Sequence, residues 1–337
     1  MGGKLPRVLA DARNAIRAMV ETGSTVLVAC SGGADSLALA ASAAFLNRKG
    51  EIRAGAVVVD HRMQPGSAEV ASAAAAQCRA LGLNPVLVLE VDVADSSEQA
   101  ARIARYEALE IALERTGATH ILLGHTLDDQ AEQVMLGLAR GSGTLSLAGM
   151  PAVRGPFLRP LLGMDRSAME KICAHEQLNY WEDPTNTDPT YLRNDIRHRL
   201  MPVLREVLGE QVSRALARTA ALARADAAYL DEQAALALLE ATRVSTEHEC
   251  RLDLNVLRAL PGPLRSRVLR QGISGLGAPS PDFERLSALD HLVRDSKSAG
   301  PIELEGQVLA TRVAGPRLAA GESAFLRLRR PPAGSDI

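Results

Sequence analysis

The stretch VLVACSGGADSLAL, residues 26–39, decides how the chain is read. An apolar run ends abruptly in Ser31-Gly32-Gly33-Ala34-Asp35-Ser36, after which an Ala/Leu-rich segment reads as a helix. Two glycines allow positive φ and close backbone approach, and a helix start presents N–H groups that no carbonyl of the helix satisfies. A strand feeding such a turn makes a cradle for phosphate. The lysine of G-x-x-x-x-G-K-[ST] is missing and G-x-G-x-x-G does not fit, so neither the ATPase P-loop nor the dinucleotide fingerprint applies. Asp35 beside phosphate would be repulsive unless it held Mg2+, which makes a metal–nucleotide ligand the economical reading. The alternative is a tight strand-to-helix turn with Asp35 as a favourable first-turn acid.

Outward from this stretch, short β-branched runs alternate with longer helical patterns. Strands are expected at Thr25 to Cys30, Arg53 to Val59, Val86 to Val91 and His120 to Leu123. Helices are expected at Ala34 to Asn47, Ser67 to Leu81, Glu98 to Thr116 and Asp128 to Arg140. Alternation of this kind marks βαβ units, and uninterrupted apolar strands mark a sheet covered on both faces. The expected fold is α/β, a doubly wound parallel sheet of Rossmann-like type with a second, smaller, mainly helical C-terminal domain. Ligands of such sheets lie outside the carboxyl ends of the strands. Those ends carry Asp60 and His61 after the second strand, placed to meet an adenosine, and Gly124-His125-Thr126-Leu127-Asp128-Asp129-Gln130 after the fourth. Read alone, an Asp at a strand end is as well explained as a cap or loop acceptor.

At the start of the fourth crossover helix, Asp129 and Glu132 stand three apart and Asp128 and Glu132 four apart, so the carboxylates share one face. Clustered acids beside His125 could bind a second cation, either Mg2+ or an amine; for Asp128 a plain helix-dipole role is equally open. Arg102 and Arg105 share a helical face, as a phosphate clamp or as a surface salt-bridge helix. Beyond Gly141 the pattern turns to Gly, Ser and Pro, followed by a helix from Asp165 to Glu176 and arginine-rich helices from Tyr191 to Leu208 and Gln211 to Leu239. Short strand-like pieces lie at Pro301 to Val313 and Ala324 to Arg329. We expect a catalytic domain over 1–208, a substrate-binding domain over 209–330 and a frayed tail over 331–337.

Composition narrows the function classes. The 337 residues carry 38 Lys plus Arg against 40 Asp plus Glu, a formal charge of −2, which excludes a histone-like or membrane-coating protein. An apolar content of 47% with 23% charged residues excludes a disordered chain. No stretch approaches the ~20 apolar residues of a membrane-spanning helix, and the N-terminus lacks a signal-peptide pattern, so a cytoplasmic location is expected. Cys30, Cys78, Cys173 and Cys250 are too scattered for a zinc or iron–sulfur site. Lysine occurs only at Lys4, Lys49, Lys171 and Lys297, leaving 38 − 4 = 34 arginines, which suit bidentate phosphate contacts. Residues 251–337 hold 13 Lys/Arg and 9 Asp/Glu, a balance of +4 against −6 elsewhere, compatible with a polyanion gripped away from the chemistry and equally with a solvated helical surface.

SGGADS resembles the signature of the PP-loop ATP pyrophosphatases. VDHRMQPGSAEVA, ARIARYEAL, GHTLDDQAEQVMLGLARGSG, RPLLGMDR and WEDPTNTDPTYLRNDIRHRLMPVL resemble, in family order from Val26 to Leu204, the tRNA(Ile)-lysidine synthetase family. That resemblance implies adenylation of the ring carbonyl of the wobble cytidine in a CAU-anticodon isoleucine tRNA, with ATP and Mg2+, and displacement of AMP by the ε-amine of free L-lysine. It implies an ATP/Mg2+ loop at Ser31, Gly32, Gly33, Ala34, Asp35 and Ser36, with Asp35 on the metal. His125, Asp129 and Glu132 match the active-site motif, the two acids holding and deprotonating lysine, and Arg105 is the arginine expected on phosphate or the activated base. The segment Tyr191 to Arg199, with Arg193, Arg197, His198 and Arg199, is expected at the anticodon arm, or else is an amphipathic helix with a basic face. No membrane partner is expected, and a homodimer is left open.

Two departures stand out. Gln133 replaces the Thr common after Glu132 in the family. No room remains for the further C-terminal domain of longer members, so acceptor-stem recognition is expected to be organised differently. The rival readings are another PP-loop tRNA-modifying enzyme such as a thiolase, an amide-forming adenylating enzyme, and a non-catalytic nucleotide sensor, which would need neither the acids nor the basic helices.

Overall fold

The computed structural model describes residues 6–331 apart from 61, 63–65, 92–97, 142, 188–189, 296–298 and 319–321. Alternation within apolar strands sorts side chains onto two faces of one sheet. In β1 (Thr25–Ala29), Val26 and Val28 join one core while Leu27 joins another. The first core is completed by α1 (Arg7–Arg17), α2 (Ala34–Arg48) and α3 (Ser67–Ala80), together with Ala54, Ala56 and Val58 of β2 (Arg53–Asp60). β3 (Val86–Glu90) follows α3. The second core sets Leu109 and Ala112 of α4 (Glu98–Thr116) against Leu27, Val57, and Ile121 and Leu123 of β4 (His120–Leu123). α2 is buried along nearly its whole length, from Ala34 to Leu46, which is why it reads as apolar all round.

After β4 come α5 (Leu127–Arg140), a single turn α6 (Thr144–Leu147), and a hairpin of β5 (Val153–Arg154) and β6 (Phe157–Leu158). The sheet order is β3-β2-β1-β4-β6-β5, parallel except for β5 at the edge. The chain leaves β1 for β2 on one side and returns as β4 on the other, so the switch point lies between the carboxyl ends of β1 and β4. α7 (Arg166–His175) packs on α2, with Met169, Ile172 and Cys173 in the first core. Next come α8 (Leu192–Asp195), a π-helical turn (Ile196–Leu200), α9 (Met201–Leu208) and α10 (Val212–Ala241), from which Ile196, Met201 and Val212 meet Ala131 of α5.

β7 (Thr242–Ser245), β8 (Glu249–Asp253), α11 (Leu254–Ala259), α12 (Gly262–Ser274), α13 (Phe283–Arg294), β9 (Ile302–Leu304), β10 (Val308–Val313) and β11 (Phe325–Arg329) follow. Their strands form a separate antiparallel sheet, β7-β8-β11-β10-β9, whose Leu252, Ala310, Leu326 and Leu328 pack on Leu269, Ile273 and Leu289. The second domain is mainly helical, as expected, with its helices packed on a five-stranded sheet. Two compact units result, Met1–Arg140 with Ser146–Ala221 and Gly141–Leu145 with Leu222–Ile337, a division that falls inside α10. Among the described residues no helix is long and apolar enough to cross a membrane.

Candidate active site

The loop after β1 is built as its sequence requires. Gly32 has φ +85°, and a Cβ there would lie 3.3 Å from the Ala74 Cβ of α3. The Ser36 hydroxyl donates to the Gly33 carbonyl (3.0 Å) and accepts from the Ser31 amide (3.1 Å), while the Trp181 amide donates to the Gly32 carbonyl (2.9 Å). These bonds turn the loop's carbonyls inward. No side chain caps α2, whose N-cap is Gly33, so its first amides remain available to an anion.

Across the switch point, Gly124 brings the β4 loop against this turn. A Cβ at 124 would sit 3.1 Å from the Asp35 carbonyl group and the Ser36 Cα, so only glycine permits the approach. Behind it, the Thr126 amide and hydroxyl both donate to Asp129 Oδ2, at 2.8 and 3.0 Å, which fixes the Asp129 carboxylate at the head of α5. Asp35, His125, Asp129 and Glu132 thus gather at one rim, as their strand-end and helical spacing suggested.

Electrostatics there is uneven. Burial, and then the Asp129 carboxylate, push Asp35 up to about 7, and its Oδ1 is buried without a hydrogen-bond partner among the described residues. Burial also pushes Asp129 up, but the Thr126 amide and the Arg197 guanidinium outweigh it and hold the carboxyl below its ordinary range. His125 is lowered to about 4, chiefly by burial, with Arg159, Arg105 and Arg193 adding to the effect and Asp129 opposing it. Its imidazole is neutral at pH 7, with Nδ1 buried and unpartnered among the described residues.

The basic residues divide. Arg197 donates to Glu132 Oε1 (2.6 Å, Nε) and Oε2 (3.0 Å, Nη2) and to Asp129 Oδ1 (3.0 Å, Nη2); Arg193 Nε adds a bond to Glu132 Oε2 at 3.2 Å. Arg193 and Arg197 therefore turn inward onto the acids. Arg199 pairs with Asp195 at 3.2 Å and is exposed. Arg105 is exposed, 5.8 Å from the Tyr106 ring, and close enough to act on His125. Asp60 is buried at the end of β2, where it accepts the Arg62 amide at 3.0 Å, which is the loop-acceptor role; His61 lies outside the described residues. Asp128 accepts from the Arg166 amide (2.9 Å) and Arg205 Nη2 (2.7 Å), so it caps α7 while lining one cleft with Glu132 and Arg197.

Three residues near the site escaped the sequence reading. Arg166 and Arg205 line a cleft of about 490 Å3 with Thr126, Glu132 and Arg197. Buried Arg159 donates to the Pro151 carbonyl (2.8 Å) and the Tyr106 hydroxyl (3.2 Å) and acts on His125. Arg159 and Arg166 both fall within RPLLGMDR, where no helical spacing links either to the acids. Among the described residues no three His, Cys, Asp or Glu side chains form a metal cage, and all four cysteines are free and buried.

Residues 7–204 match the family described as PP-loop domain, and residues 252–318 match the TilS substrate binding domain. A tRNA(Ile)-lysidine synthase of Leifsonia xyli subsp. xyli (strain CTCB07) is 47% identical over 286 residues, 84% of this chain and 86% of the relative. Those of Streptomyces coelicolor (strain ATCC BAA-471 / A3(2) / M145) and Thermobifida fusca (strain YX) are each 45% identical, over 87% and 91% of this chain and 84% and 95% of the relatives. A solved structure, the U34-tRNA thiolase NcsA from Methanococcus maripaludis with its [4Fe-4S] cluster, aligns with a TM-score of 0.54 at 16% identity, over 64% of this chain and 77% of that one, a likeness of fold alone.

Proposed function

Since the chain belongs to the tRNA(Ile)-lysidine synthase family, we propose that it joins free L-lysine to the wobble cytidine of the CAU-anticodon isoleucine tRNA through an adenylated cytidine. ATP binding follows from the PP-loop domain. The uncapped start of α2 is fitted to pyrophosphate oxygens, and the unpartnered Asp35 oxygen is fitted to Mg2+, an ion that needs only one or two carboxylates when phosphates supply its other ligands. Bound there, the metal would offset charge on the departing pyrophosphate.

The chemistry asks two things of the chain's own residues. The cytosine ring carbonyl has no leaving group until its oxygen takes AMP from ATP with loss of pyrophosphate. The ε-amine of lysine then attacks the ring carbon, the carbon–oxygen bond to AMP breaks, and the nitrogen sheds a proton. Asp129 and Glu132 are the acids suited to hold the ammonium and take that proton. Arg105 is assigned to phosphate or the activated base, and Arg193, Arg197, His198 and Arg199 to the anticodon arm. The observation that carries the reading is that paired acids already binding a cation share one rim with the phosphate loop. A thiolase would need sulfur-handling cysteines at this rim, whereas Cys30 and Cys173 are buried in the core beneath it.

The test is labelled lysine incubated with purified protein, ATP, Mg2+ and the CAU tRNA. Label is expected in the tRNA, with pyrophosphate release dependent on tRNA. Pyrophosphate released with the tRNA left unlabelled would assign the chain to another adenylating reaction.

A further inference from the structure

The acids assigned to the incoming ammonium already hold a cation. Glu132, only 2% exposed, takes both nitrogens of the Arg197 fork and Nε of Arg193, and the same Arg197 fork reaches Asp129. A second cation cannot share those oxygens without meeting the charge of Arg197, and removing Arg197 with nothing to replace it would leave the buried Glu132 to Arg193 alone. One cation must therefore exchange for the other. Arg197 belongs to the π-helical turn Ile196–Leu200, a geometry that carries one residue more per turn than an α-helix and is found mostly as isolated turns at functional sites. Its guanidinium never deprotonates, and it grips carboxylate and phosphate with the same bidentate fork.

Resting on the functional reading above, we propose that Arg197 is a positioning residue that stands in for the substrate ammonium on Asp129 and Glu132 and is drawn off by a tRNA phosphate, so that tRNA binding opens the lysine site. Free lysine then competes with Arg197 in the tRNA-free enzyme and binds weakly. Linkage requires lysine and tRNA to strengthen each other's binding by one and the same factor.

Calorimetric titration of lysine into the full chain, without ATP and with or without the CAU tRNA, tests this. In the wild type, tRNA is expected to tighten lysine binding by about tenfold or more, within the usual range of coupling between sites. Arg197→Met is expected to bind lysine without tRNA as tightly as the wild type does with it, and to lose the dependence on tRNA. A wild-type affinity that tRNA leaves unchanged overturns the proposal, as does an Arg197→Met protein that binds lysine more weakly in both conditions, the result an ion pair of purely structural value requires. If Arg197→Met does not fold, the two wild-type titrations decide alone. Normal lysidine formation with tRNA-independent lysine affinity removes the exchange only; failure to label tRNA in the complete reaction removes the functional reading and the exchange together.

Discussion

Asp35 is a carboxylate in a place that penalises its charge. Raised to about 7 by burial and Asp129, it binds a proton better in the folded chain than in the unfolded one, where an Asp titrates near its ordinary 3.8. That preference stabilises the fold fully below about pH 4 and is lost as pH rises through 7. Asp35→Asn is therefore expected to raise the stability of the metal-free protein relative to wild type by about 1–3 kcal/mol at pH 8, an increment that vanishes toward pH 4 in thermal melts across that range. The same substitution is expected to slow pyrophosphate release on the order of 100-fold, since one preorganised electrostatic group is lost. Asp129→Asn should slow transfer of lysine to preformed adenylate by about 10²–10⁴-fold and adenylate formation much less, in single-turnover assays that follow the two steps separately. Of these residues, Asp35, His125, Asp129 and Glu132 were legible in the sequence, because strand ends and i, i+3 spacing place side chains by local geometry alone. The partner of Glu132 was not, since Arg197 lies 65 positions away and only the tertiary packing of α5 on the π-helical turn brings them together.

The elements around the site depend on close backbone approach. Gly124→Ala would press a methyl group onto the backbone of Asp35 and Ser36, which cannot yield as a side-chain tip could. A loss of about 1–3 kcal/mol in urea unfolding is expected, together with a raised KM for ATP, because the cost is overpacking at the phosphate loop itself. The alternating elements of the first sheet were read to within a residue or two, α4 and β4 matching their expected limits and α2 ending at Arg48 where Asn47 was expected, whereas the helices α1, α12 and α13 were given no limits. Short ones were missed for physical reasons. β5 and β6 have two residues each, too few to show any period; β8 does alternate, with Cys250 and Leu252 buried between half-exposed neighbours, but over five residues only. The sheet of the second unit is assembled from such pieces, contributed from positions 242 to 329, and its existence is a property of pairing rather than of any one segment.

Across the molecule, the net value of −2 conceals an excess of +4 in residues 251–337. RNA binding led by arginine–phosphate contacts releases counterions, so raising KCl from 50 to 200 mM is expected to raise the KM for tRNA by about tenfold or more while that for lysine changes little. Net charge and composition could bound this behaviour from the sequence; the inward turn of Arg193 and Arg197 could not be read there, because helical spacing alone does not say which face meets an acid. The cations at the rim are arginines, and the chain has four lysines in all, of which Lys49 ends α2 and Lys171 lies within α7. An enzyme that prepares an electrophile for a primary amine is at risk from its own primary amines. Guanidinium neutralises the acids yet has no free electron pair to offer at pH 7, so the resident cation cannot be mistaken for the reactant. Arg197→Lys would remove that safeguard, and with ATP and tRNA present it is expected to tether the enzyme covalently to its substrate, visible as a nuclease-sensitive band shift in denaturing gels.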